Sequence, residues 1–148
     1  FDKFAEGRRT KTKQILREAE SLFAKASLKI DQNDLAGLKF KETQLLLDQA
    51  YQQYQQAVKL TPIPPIQMQL LNCLTKWAGI LVNQSEELLS LAQKKSDKFS
   101  KANRDTAGKF LLDSIEKYES VLEIIENMKD SAAEESSEYN ITDEESND

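Results

Sequence analysis

The chain of 148 residues contains no histidine and a single cysteine, Cys73. The missing histidine excludes imidazole acid–base chemistry and the usual zinc ligand sets. A lone cysteine excludes an internal disulfide framework. Breakers are scarce as well, with 4 glycines and 3 prolines, which favours long helices over a strand-and-turn fold. No apolar run reaches the length of a membrane span, and nothing reads as a signal peptide. An intracellular protein, cytoplasmic or nuclear, is expected. The chain opens on Phe1 rather than methionine, which leaves room for an upstream segment. Also missing are a glycine-rich phosphate loop, a histidine partner for any serine or for Cys73, and any metal-ligand spacing. The expectation is a non-enzymatic chain with no cofactor, no metal and no small-molecule substrate.

What the chain does hold is charge, unevenly placed. Residues 130–148 contain 8 of the 25 acidic residues and none of the 20 basic ones. The remainder, with 20 basic residues against 17 acidic, therefore carries the opposite sign. Too little apolar surface follows Lys129 to offset chain entropy, so 130–148 reads as a disordered acidic tail. The other end is basic: Lys3, Arg8, Arg9, Lys11 and Lys13 stand against Asp2 and Glu6. Residues 1–11 are expected to be a flexible basic arm. Interleaved aromatics are missing there and the acidic tail competes with phosphate, so nucleic acid ranks below protein as a partner.

Between these ends, 12–129 reads as one helical domain of four long helices in two antiparallel pairs. The first, about Thr12 to Asp31, carries Ile15, Ala19, Leu22, Phe23, Ala26 and Ile30 at helical spacing. Asn33 or Asp34 can end it and cap the next. The second, about Leu35 to Leu60, presents Leu38, Leu45, Leu46, Ala50, Tyr54, Ala57 and Val58. The cluster Thr61–Ile66 with Pro62, Pro64 and Pro65 breaks the helix, and Pro64 or Pro65 can open the third. Its stripe is Ile66, Leu70, Leu74, Trp77, Leu81, Leu88 and Ala92. Gly79 interrupts this helix and suggests close packing. Lys95–Asp105 reads as a polar loop, and a fourth helix then runs to about Met128 with the stripe Leu111, Ile115, Tyr118, Leu122 and Ile125.

Ala50, Tyr54, Ala57 and Pro62 place two small residues around an aromatic on one helical face, with a proline beyond. Alanine lets a neighbouring helix approach, the ring fills the gap beside it, and proline ends the helix. This pattern resembles the second helix of a tetratricopeptide repeat. Ser114, Tyr118 and Val121 echo the spacing on the fourth helix. The resemblance implies two stacked hairpins whose first and third helices line a groove for a partner's peptide or helix. Lys25 and Lys29, one turn apart on helix one, and Asn72 and Lys76, one turn apart on helix three, are the candidate contacts. Trp77 and Tyr54 sit on apolar stripes and are expected in the core, as is Cys73. The leading function is an adaptor or chaperone-like interaction module. The alternatives are a three-helix domain similar to the microtubule-interacting-and-trafficking family, with the fourth helix as an extension, and a structural or oligomerising bundle.

Overall fold

A computed structural model describes the backbone of residues 2–94 and 98–146 and the side chains of residues 4–94 and 99–130. The fold is all-α. Four helices follow one another: α1 (Asp2–Asp31), α2 (Leu38–Leu60), α3 (Pro64–Lys94) and α4 (Lys98–Ser146). Among the described residues there is no strand. Helix α1 packs on α2, α2 on α3, and α3 on α4.

Helix α1 ends through backbone chemistry rather than a side-chain cap. Asn33 takes the left-handed conformation with φ 55°. Its N–H donates to the Ile30 carbonyl at 3.0 Å, and that of Asp34 donates to Lys29 at 2.9 Å. This pair of bonds is a Schellman motif, which satisfies carbonyls that the last turn would leave open. Gly37, at φ 59°, then reverses the chain into α2. The second boundary lies in the proline cluster, as the sequence predicts. Thr61 donates to Ala57 at 2.8 Å, Pro62 stands in the link, and Pro64 opens α3, where its missing N–H costs nothing.

The core lies where α1, α2 and α3 meet. Ala19 and Ala26 of α1, Leu47, Ala50 and Tyr54 of α2, and Cys73, Leu74 and Leu81 of α3 are essentially inaccessible to solvent. Ala57 joins Ile15 and Ile66 in a smaller cluster beside it. Buried alanines on both α1 and α2 let the two helices approach, and Phe23 meets Tyr54 edge-on at 6.3 Å between centroids. From α4, Phe110, Val121 and Ile124 pack onto the same core.

Several sequence expectations need correction. On α2, Leu38 and Leu45 are exposed, and Phe40, Thr43 and Leu47 are buried in their place. The apolar residues of that helix are so many that period alone fits two overlapping stripes. Helix α1 already begins at Asp2, so most of the stretch expected as a flexible arm continues the helix. It projects from the body: from Phe4 to Lys11 every side chain except Ala5 is exposed. Its root is fixed by Thr12, buried and hydrogen-bonded to Thr61 through their hydroxyls at 2.8 Å. The polar stretch expected as a loop is helical from Lys98 onward. Residues 95–97 of it lie outside the described residues; beyond them there is no glycine or proline before Gly108, so the polarity there reports solvated first turns of α4. Finally, Gly79 is not a close-approach glycine, because nothing lies within 4 Å of where its Cβ would stand. Gly79→Ala should therefore stabilise the fold by about 1 kcal/mol, read as a higher urea midpoint. A lower midpoint would mean that the site is tighter than its geometry.

The backbone of α4 is helical as far as Ser146, past Met128, where the sequence expects the helix to end. The expected acidic tail thus overlaps this helix, and its side chains from 131 on lie outside the described residues.

Candidate functional site

The sequence assigns partner contact to Lys25, Lys29, Asn72 and Lys76, and two of the four, Lys29 and Lys76, are engaged in ion pairs within the fold. Lys25 and Asn72 are exposed. Lys29 turns to α2, where its Nζ donates to Glu42 Oε2 at 2.9 Å. Lys76 turns to α1, where it pairs with Asp31 at 3.5 Å and lies 5.8 Å from the centre of the Phe23 ring. Both ion pairs are partly exposed and contribute little stability, but each already gives its ammonium a carboxylate partner. The cleft that does open between α1 and α3, about 440 Å³, is lined by Ile30, Ile80, Asn83, Gln84, Glu87 and the α1–α2 turn, and by none of the four.

The residues weighed as core are core. Trp77 is buried, its indole N–H donates to Gln44 Oε1 at 3.2 Å, and Tyr51 meets it edge-on. Lys117 of α4 places its ammonium 4.1 Å from the ring centre while donating to Asp113 at 2.7 Å. Cys73 is fully buried, with Sγ donating to the Leu47 carbonyl at 3.6 Å. Burial pushes its thiol up to about 12, and burial raises the Tyr54 phenol to the same region. A thiol held neutral is a poor nucleophile. These shifts also set an alkaline limit. In the unfolded chain the thiol ionises near 9 and the phenol near 10. Between pH 9 and 12 the unfolded state therefore sheds protons that the folded state keeps, and stability falls as pH rises. Urea midpoints should drop from pH 8 to pH 10.5, and less steeply in Cys73→Ala. A flat profile would contradict the burial of both groups.

What sequence reasoning missed is on α4. The stripe Leu111, Ile115, Tyr118, Leu122 and Ile125 reads as a core face by spacing. Instead Leu111 is 36%, Ile115 50%, Tyr118 41% and Leu122 62% exposed, and Ile125 is half-buried. The face that packs inward is Ala107, Phe110, Ser114, Lys117, Val121 and Ile124. The signal was in the sequence: Ala107, Ser114 and Val121 recur every seventh residue as small or branched positions, as Thr43, Ala50 and Ala57 do on α2. The inward lysine disguises that face as polar. The outer stripe is continuous over four turns, with alternating steps of four and three residues, the spacing that keeps a seam facing a partner helix.

The polar border of this stripe is mainly acidic. Glu116, Glu119 and Glu126 are exposed, Glu126 with Lys129 at 3.9 Å, while Glu123 lines the cleft between α2 and α4 together with Lys59. From Leu112 to Met128 the only basic residue is Lys117, and it faces the Trp77 ring. Between α2 and α4 a smaller cleft of about 240 Å³, lined in part by Tyr51, Lys59, Leu70, Glu123 and Ile124, falls below the size of small-molecule sites. Among the described residues no group of three His, Cys, Asp or Glu side chains could hold a metal ion, and no helix is long and apolar enough to cross a membrane. No family model, curated protein or solved structure matches the chain.

Proposed function

We propose that this protein is a non-enzymatic interaction module, an adaptor or chaperone-like subunit, that takes up a helix of a partner protein. The observation that carries the reading is the open apolar stripe of α4, a run of exposed large apolar side chains, where α1, α2 and α3 expose such residues only at separated positions such as Leu28, Leu38, Leu45 and Leu91. Exposed apolar residues scattered singly are ordinary, whereas a contiguous patch on a soluble domain marks an interaction surface. A helix is its natural occupant, because the seam has helix-pairing period. A tetratricopeptide-like stacking of two hairpins belongs to the same proposal. Lys25 and Asn72, both exposed, are available as further contacts.

The three-helix alternative is less well supported, because Phe110, Val121 and Ile124 of α4 cover the central core and residues 1–95 alone would leave it open. The oligomerising bundle would use the same stripe and is separated from a partner-binding module by mass in solution. The test is affinity purification with quantitative mass spectrometry, comparing wild type with Ile115→Ser/Leu122→Ser. Both positions are exposed, so the variant should melt like wild type. A protein recovered in stoichiometric amount with wild type should be lost from the variant. Equal recovery would reject the stripe as the binding surface.

A further inference from the structure

Helices α2 and α4 can be superposed in register on Tyr54 and Tyr118. Leu47 then matches Leu111, Ala50 matches Ser114, Tyr51 matches Ile115, Ala57 matches Val121 and Val58 matches Leu122. The two helices differ in what surrounds them. On α2, Leu47 and Tyr54 are 0% and 2% exposed. Helix α1 brings Phe23 against Tyr54, and α3 brings Trp77 against Tyr51 and Cys73 against the Leu47 carbonyl. Helix α4 has α3 on one side, and its matching leucine and tyrosine stand open. The chain thus displays, on α2, this register covered by helices on both sides, α1 and α3, and on α4 the same register covered on one side alone.

We infer that the α4 stripe receives a basic amphipathic helix of another protein, which packs across Leu111, Ile115, Tyr118 and Leu122, with its lysines or arginines against Glu116, Glu119 and Glu126. The inference rests on the interaction reading above and adds the register and the chemistry of the partner. Charge selects the occupant. A second copy pairing through the same stripe would set this acidic border against itself, and like charges at flanking positions oppose pairing. The chain's own tail, 130–148, is acidic and is repelled for the same reason. The basic N-terminal end of α1 has the right sign, but among its described residues 4–11 the only large apolar side chain is Phe4, too little to cover four turns of α4. A foreign helix with an apolar face and cationic borders satisfies both requirements.

The experiment uses the full chain and two synthetic helical peptides of about 20 residues, the length that spans such a seam. They share one leucine–isoleucine face and differ only in having lysine or glutamate at every border position. Binding is followed by fluorescence anisotropy, and mass by analytical ultracentrifugation. Wild type should bind the lysine peptide about tenfold or more tighter than its glutamate twin. The triple reversal Glu116→Lys/Glu119→Lys/Glu126→Lys should invert that order. Ile115→Ser/Leu122→Ser should weaken the lysine peptide to a similar degree without changing the melting curve, which adhesion of a cationic peptide to an acidic protein would not do. If both peptides bind alike and only the serine pair abolishes binding, the charge chemistry is wrong and the docking role stands. If the serine pair changes nothing, or neither peptide binds, the stripe is not the site. A dimer dissolved by the serine pair would make a second copy the occupant and overturn the proposal.

Discussion

Tyr54→Ala should cost about 3–5 kcal/mol of folding free energy, while Tyr118→Ala, at the matching place on α4, should cost less than about 1 kcal/mol. The two rings share a sequence setting and differ in cover. Tyr54 is 2% exposed, held between the buried alanines of α1 and α2 and met edge-on by Phe23. Removing it leaves a cavity at the junction of three helices that rigid backbones cannot fill. Tyr118 has water on one side already, so truncating it opens no cavity. A loss of 3–5 kcal/mol is a large part of the stability of an ordinary domain, and it should appear as a marked fall in urea midpoint and melting temperature. Equal costs at both sites would mean that the α4 stripe is buried.

Trp77→Ala is the second large effect, also about 3–5 kcal/mol. Here the loss is spread over several kinds of contact. The ring contributes apolar area, an edge-on contact with Tyr51, and a platform for the Lys117 ammonium. Its N–H satisfies Gln44. Alanine removes all of these and leaves a lysine whose side chain is mostly buried without its aromatic face. Trp77→Phe separates the parts. It keeps a ring for Tyr51 and Lys117 but loses the bond to Gln44, which is half-buried and can turn to water. That variant should cost roughly 1 kcal/mol plus the smaller area. Denaturation followed by circular dichroism measures both variants and avoids the loss of the only tryptophan signal. If Trp77→Phe cost as much as Trp77→Ala, the hydrogen bond rather than packing would hold this junction.

Much of the fold was legible in the sequence because its signals are local. The prolines at 62, 64 and 65 set the break between α2 and α3, Asn33 set the end of α1, and the spacing Ile66, Leu70, Leu74, Trp77, Leu81 gave the buried face of α3. Other features were misread, and two on α4 show the physical reason. The start of α4 was hidden because polar residues make good exposed helix, and polarity reports solvent rather than backbone. The buried face of α4 was hidden because Lys117 lies on it, paired with Asp113 and capping an aromatic ring, while the more apolar stripe is left to solvent. Periodicity finds an apolar face, but it does not say whether the chain itself supplies the cover. For the same reason Lys29 and Lys76 read as free cations by spacing. Their carboxylates, Glu42 and Asp31, are brought to them by the packing of α1 against α2 and α3.

The most direct test is site-specific photo-cross-linking in cells that express the chain, with p-benzoylphenylalanine at position 118 on α4 or at position 25 on α1. Both sites are exposed, so neither probe should disturb the fold. If a partner helix docks on the α4 stripe, position 118 should give a discrete adduct of defined mass that disappears in the Ile115→Ser/Leu122→Ser background, and position 25 should give none. An adduct from position 25 alone, or an adduct at 118 that survives the two serines, would contradict docking on α4.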